Sequence, residues 1–153
     1  MSHPLLALLI ALLLPLGAAA GDLEEPWDGL SEGRDVVTIS HGEEVDLKAH
    51  LAAGKYTIVD FGASWCGPCH DAADGLAVYM DAHPDVAVRA VELGGGTPEA
   101  SYAQPVVAQH LANVSGIPWL VVYTPDGKVL ARGRKLDKLT AAVDKHRARA
   151  AKK

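Results

Sequence analysis

The chain has 153 residues, 49% of them hydrophobic and 22% charged, which fits one compact domain and excludes a disordered chain, a fibrous repeat and a pair of full domains. The net charge of −5 is unevenly spread: residues 21–131 carry 5 Lys+Arg against 17 Asp+Glu, giving −12, and residues 132–153 carry 9 against 2, giving +7. The basic end reads as the solvated last turns of a terminal helix, whose cations complement the helix dipole, and no nucleic acid is expected as a partner.

Residues 1–20 contain no Lys, Arg, Asp or Glu, and Leu5 to Leu16 is almost wholly apolar before Gly17-Ala18-Ala19-Ala20. The run is shorter than the roughly 20 residues of a membrane-spanning helix, and Ala18-x-Ala20 fits a cleavage site after Ala20. A signal peptide over 1–20 follows, and with it an exported protein, periplasmic or extracellular. Only His3 and the terminal amine supply the positive start, so an uncleaved membrane anchor is the alternative. The remainder divides into a flexible acidic lead-in at 21–35, which holds an isolated Trp27, a domain over 36–148 and a basic tail at 149–153.

Val36 to Ile39 reads as a short strand and Glu43 to Ala53 as a helix ended by Gly54. Tyr56 to Phe61 is too apolar for an exposed edge and belongs at the centre of a sheet, with Asp60 as its anomaly. Ala72, Ala73, Leu76, Val78, Tyr79 and Met80 give helical spacing that closes near His83-Pro84. Asp85 to Leu93 is the next strand. Gly94-Gly95-Gly96-Thr97-Pro98 breaks structure, and a short helix opens at Pro105. Trp119 to Thr124, the Pro125-Asp126-Gly127 turn and Lys128 to Arg132 form a hairpin before an amphipathic helix on Leu136, Leu139 and Val143. Strands alternating with helices and ending in a hairpin predict an α/β fold, a central mixed β-sheet flanked by helices on both faces.

The two cysteines lie three apart in Trp65-Cys66-Gly67-Pro68-Cys69-His70. A disulfide closing so small a loop stabilises weakly, so the pair is better explained by reactivity. With Cys66 between a central strand and a helix, unpaired backbone N–H groups and the positive end of the dipole favour its thiolate, the form that attacks disulfides. Cys66 is the nucleophile. Cys69, one turn inside the helix, is the resolving thiol, and Gly67 and Pro68 limit the chain between them.

The run from Val59 to Cys69, Val-Asp-Phe-Gly-Ala-Ser-Trp-Cys-Gly-Pro-Cys, resembles the active-site segment of the thioredoxin family, and Gly116-Ile117-Pro118 before an apolar strand is similar to that family's cis-proline loop. The resemblance spans about residues 36–148 and implies a thioredoxin fold. It also implies a cis Pro118 that aligns an extended substrate peptide, with the Ile117 backbone, Trp65, Gly67 and Pro68 at the binding surface. Asp60 is implied to be the buried acid that takes a proton from Cys69; burial in a central strand, which raises a carboxyl pKa, agrees. The chain departs from the family's pattern at Gly62, where Trp is usual; at Trp119 after the proline, expected to line the peptide groove; and at His70. The Gly94 to Gln104 loop is longer than its counterpart.

Together these features predict a monomeric protein-disulfide oxidoreductase with no cofactor, acting on protein thiols and disulfides. Gly-Pro between the cysteines favours a reductase, which outside the cytosol needs electrons from a membrane-bound partner; an oxidase or isomerase is the alternative. Cys66-x-x-Cys69-His70 is also the attachment pattern of c-type haem, and the cysteines with two histidines could hold zinc. The thioredoxin-like surroundings of the motif weigh against haem, and the absence of characteristic ligand spacing weighs against zinc. A redox-inert binding module would be expected to have lost a cysteine.

Overall fold

In the computed structural model, residues 24–152 are described; the signal peptide expected at 1–20, like the anchor that is its alternative, lies outside them. Five strands form one sheet: β1 Val36–His41, β2 Tyr56–Gly62, β3 Val86–Glu92, β4 Trp119–Tyr123 and β5 Val129–Gly133, in the order β1-β3-β2-β4-β5. β1 and β2 run parallel to β3, whereas β4 is antiparallel to both β2 and β5, so the sheet is mixed. β2 is central and buried along its whole length.

Side chains alternate across a strand, so β2 feeds two cores. Tyr56 and Ile58 join Leu76, Met80, Leu139 and Val143 on one face, where α1 Gly67–Ala82 and α4 Leu136–Ala150 pack. Val59 and Phe61 meet Val106, Leu111 and Ile117 on the other, covered by α3 Pro105–His110. Within α1, Cys69, Ala72, Ala73, Leu76 and Met80 make the buried stripe, and the helix ends at the residue before His83-Pro84 because Pro disfavours α geometry in the residue preceding it. Gly75 interrupts α1 at a cost of about 1 kcal/mol in propensity, yet a methyl there would stand only 2.7 Å from Leu136 Cδ2, so its absence lets α4 approach.

The strands, the hairpin and the long helices match expectation, and four stretches differ. The helix expected over Glu43–Ala53 is a single 3-10 turn at Leu47–His50, capped by Asp46. Its upstream backbone is committed elsewhere: Val45 N donates to Gln109 Oε1 at 2.8 Å, and His110 Nε2 bonds Val45 O at 2.9 Å. The Gly94–Gln104 stretch contains a helix, α2 Pro98–Tyr102, behind three consecutive left-handed glycines at 94–96. Thr97 caps it and Pro98 opens it, which is a helix-start signal hidden by the glycines. α4 runs through Ala150, two residues into the stretch read as a basic tail, and Arg147 is forked onto Asp85 at 2.9 and 3.0 Å.

The fourth difference bears on function. Residues 24–35, expected as part of a flexible lead-in, are folded onto the domain: Trp27 and Leu30 are 2% and 3% exposed and belong to the α1–α4 core. A turn closes between them, with Leu30 N donating to Trp27 O at 3.0 Å, and Arg34 makes a fork onto Asp81 of α1 at 2.8 and 2.9 Å. Acidic composition concealed two apolar anchors three residues apart, and burying an indole and a leucine contributes several kcal/mol toward ordering the segment. Among the described residues no helix is long and apolar enough to cross a membrane.

Candidate active site

β2 ends at Gly62, and a turn closed by Cys66 N donating to Ala63 O at 2.9 Å delivers the chain to α1. Cys66 is the N-cap, in extended geometry with φ −92° and ψ 97°, and Pro68 lies in the first helical turn, where its missing N–H costs nothing. Cys69 N donates back to Cys66 O at 3.0 Å. The two sulfurs are joined as a disulfide, with Cα atoms 5.3 Å apart. Both cysteines are buried, but not equally: Cys66 is 5% exposed and Cys69 is 0% exposed, so of the two residues only Cys66 retains any surface. A methyl on Gly67 would meet nothing within 4 Å, which leaves open space before the helix start.

The Ile117–Pro118 peptide is cis. An open groove of about 550 Å³ runs between Pro68 and Ala72 of α1, Pro118, and the Arg134–Asp137 stretch entering α4. Ile117 stands beside it, its carbonyl already accepting from Arg134 Nη2 at 2.8 Å. That carbonyl retains a second lone pair for a bound peptide. Trp119, expected to line the groove, is the first residue of β4; it is half-buried and packs against the core that contains Phe61 and Cys66.

The α2 insertion reaches this site. Ser101, fully buried, accepts from Trp65 Nε1 at 2.9 Å and donates to Gly94 O, while the Tyr102 ring lies 6.0 Å from that of Trp65. Ser101→Ala would leave the Trp65 indole N–H and the Gly94 carbonyl without this hydroxyl. It is expected to cost about 1–2 kcal/mol in urea unfolding of the oxidised protein and to move the Trp65 indole N–H resonance. An unchanged resonance would show that Ser101 does not hold the ring.

Asp60 points to the α1 face of β2 and is 0% exposed. Its Oδ2 accepts from Trp27 Nε1 at 2.8 Å, and its Oδ1 has no hydrogen-bond partner among the described residues. Burial pushes its pKa up to about 7, and the Trp27 hydrogen bond pulls against that rise. Gly62 faces the same side one alternation later, where a methyl would stand 3.3 Å from Cys69 Cβ. Asp60 thus lies roughly 7 Å along the strand from the residue that touches Cys69, and no hydrogen bond joins it to Cys69 among the described residues. Glu92, in register with Gly62 on β3 and 6% exposed, is a second buried acid, its pKa also raised by burial. His70 is tethered through Nε2 to Ser64 O at 3.0 Å.

Sequence reading brought Asp60, Trp65, Cys66, Gly67, Pro68, Cys69, Ile117 and Pro118 to one end of the sheet, and the structure places them there. It missed Trp27, Ser101, Tyr102, Glu92 and Arg134. The Thr97-Pro98-Glu99 start of α2 was available as a signal for Ser101 and Tyr102; the contacts of Trp27 and Arg134 had none in local pattern. Among the described residues no three of His, Cys, Asp and Glu gather as metal ligands.

A family model described as a thioredoxin-like domain matches residues 43–145. Thioredoxin-2 of Pyricularia oryzae is 33% identical over 84 residues, covering 55% of this chain and 44% of that protein. A thioredoxin H-type of Oryza sativa subsp. indica is 41% identical over 51 residues, covering 32% and 42%. The chain spans less than half the length of both relatives. The structure of Trichomonas vaginalis thioredoxin superposes with a TM-score of 0.53 at 23% identity, covering 76% of this chain and 99% of that one, which is likeness of fold.

Proposed function

The chain belongs to the family of thioredoxin-like domains, and from that premise we propose that it is a thiol–disulfide oxidoreductase that reduces protein disulfides through Cys66 and Cys69. The observation that carries the reading is the pair itself, a disulfide between the N-cap Cys66, 5% exposed, and the fully buried Cys69, next to a strand that carries a buried acid.

In the reduced protein the Cys66 thiolate, favoured by the helix N-terminus, attacks one sulfur of a substrate disulfide. That S–S bond breaks, the far sulfur leaves as a substrate thiolate, and Cys66 is joined to the sulfur it attacked. Cys69 then gives up its proton, with the Asp60 carboxylate as the acceptor, and attacks Cys66. The second substrate thiol departs, two electrons have moved to the substrate, and the disulfide seen here remains. Pro118 and Pro68 line the groove and the Ile117 backbone beside it would align the extended peptide along it, while Trp65, Gly67 and Trp119 are not among its lining residues and would take part only through a peptide that extends past it.

Gly67-Pro68 between the cysteines supports the reducing direction. The apolar run at 5–16 and Ala18-x-Ala20 support an exported location, where a membrane-bound donor would recharge the dithiol. Equilibration of the Cys66–Cys69 couple with glutathione is expected to give a potential near about −270 mV, the general figure for thioredoxins, and one near about −120 mV would reverse the direction to oxidase. Haem attachment is disfavoured by the geometry, since Cys69 is fully buried and the His70 Nε2 that would face iron is held by Ser64 O.

A further inference from the structure

We propose that Trp27 is a positioning residue for the thiol chemistry: reaching in from the segment upstream of β1, its indole N–H holds the Asp60 carboxyl and its ring occupies the space that a side chain at position 62 would take. The inference rests on the reading of Asp60 as the proton acceptor for Cys69.

Three observations converge on it. The hydrogen bond is direct, 2.8 Å, buried, and joins residues 33 apart. The ring is 2% exposed, far more than an incidental surface aromatic would be covered. A methyl on Gly62 would stand 3.0 Å from Trp27 Cζ2, 3.2 Å from Cη2 and 3.3 Å from Cys69 Cβ, so the glycine, the indole and the resolving cysteine share one packed junction. The usual aromatic wall at position 62 is therefore not lost. It is supplied from outside the 43–145 domain match, by a residue that also carries a donor to the acid.

The consequence is electrostatic. With one oxygen held by Trp27 and the other without a hydrogen-bond partner among the described residues, Asp60 has one lone-pair direction fixed and one available to receive a proton. A donor to a carboxylate favours its charged form, so the indole keeps a fully buried acid usable as a base near neutrality. The side chains in register with Asp60 are the apolar Ala90 and Leu120. The titratable groups nearby are Glu92 beside Gly62, Cys69, and, around the cleft between α1 and the upstream segment, His70, Asp74, Glu24 and Glu25.

The test is Trp27→Phe in the full chain, which keeps a buried ring and deletes the donor. Asp60 titration is followed by ¹³C carboxyl NMR of the oxidised protein, which resolves it from Glu92, and insulin reduction is followed against pH. The Asp60 midpoint is expected to move about one pH unit alkaline, with turnover at pH 6 falling about tenfold and converging with wild type near pH 9. In an Asp60→Asn background the Phe substitution should leave the profile where it was. An Asp60 midpoint unmoved by Trp27→Phe overturns the proposal while Asp60→Asn still reports on the base. A wild-type pH profile that survives Asp60→Asn removes the underlying reading and the role of Trp27 with it. A loss of stability alone, with no shift in either midpoint, reduces Trp27 to core packing.

Discussion

Cys66→Ser is expected to abolish disulfide exchange, lowering insulin reduction by more than about a thousandfold, because the hydroxyl that replaces the thiolate is not ionised at neutral pH and does not attack sulfur. Cys69→Ser is expected to fail differently. Its Cys66 still attacks, but nothing follows, so mixed disulfides accumulate and appear in intact-mass spectra as substrate adducts on Cys66. The exposures agree with this division, since Cys66 retains 5% of its surface and Cys69 none. Loss of the cross-link itself removes a small closed loop, worth about 2 kcal/mol in the unfolded chain, so both variants should remain folded. Normal turnover by either variant would refute the assignment, and adducts on Cys69 in Cys66→Ser would invert it.

Asp60→Asn carries the second large effect, in stability and rate with opposite signs. The folded-state pKa of Asp60 is raised to about 7 from an ordinary value of 3.8. For an acid raised on folding, the stability present below pH 4 is lost as pH climbs through about 7. Roughly three pH units at 1.36 kcal/mol each make a penalty of about 4 kcal/mol above that window. Asn keeps an oxygen for the Trp27 indole and cannot ionise. The variant should therefore match wild type near pH 3.5 and exceed it at pH 8 by as much as ~4 kcal/mol in urea unfolding of the oxidised form. Glu92 is raised by burial as well and contributes with the same sign, while Asp35, Asp81 and Asp85, lowered by their cationic partners, act oppositely below their ordinary range. The difference between variant and wild type isolates Asp60 from all of them. Turnover should fall about a hundredfold, as expected when a general base is removed. Equal stability at pH 8 would show that Asp60 carries no buried-charge penalty.

The two expectations place the cost of function in one strand. If both hold, the buried carboxyl near the end of β2 costs stability at neutral pH through the same desolvation that would make it a base for Cys69.

Much of this site was legible before any coordinates. The apolar run Tyr56–Phe61, too apolar for an exposed edge, identified a buried central strand, and Asp60 was the anomaly within it. The cysteine spacing at a strand–helix junction identified the redox pair, and Gly116-Ile117-Pro118 the loop beside it. These features depend on neighbours within a few residues, where backbone torsions and side-chain period determine the outcome. The Glu43–Ala53 helix failed because Gln109 and His110 claim the backbone of Val45 from across the fold. The acidic segment at 24–35 failed because composition describes an average, and two buried side chains outweighed it.

The sequence alone therefore determined the family, a mixed sheet between helices, and the cysteine pair at a strand–helix junction, since each shows in local pattern. Only the tertiary structure decided what stands over Gly62, which oxygen of Asp60 is held, and that α2 braces Trp65 through Ser101. Filling a vacated volume and pairing a buried donor with an acceptor are settled by distance in space, and Trp27 and Asp60 are 33 residues apart in the chain and 2.8 Å apart in the fold.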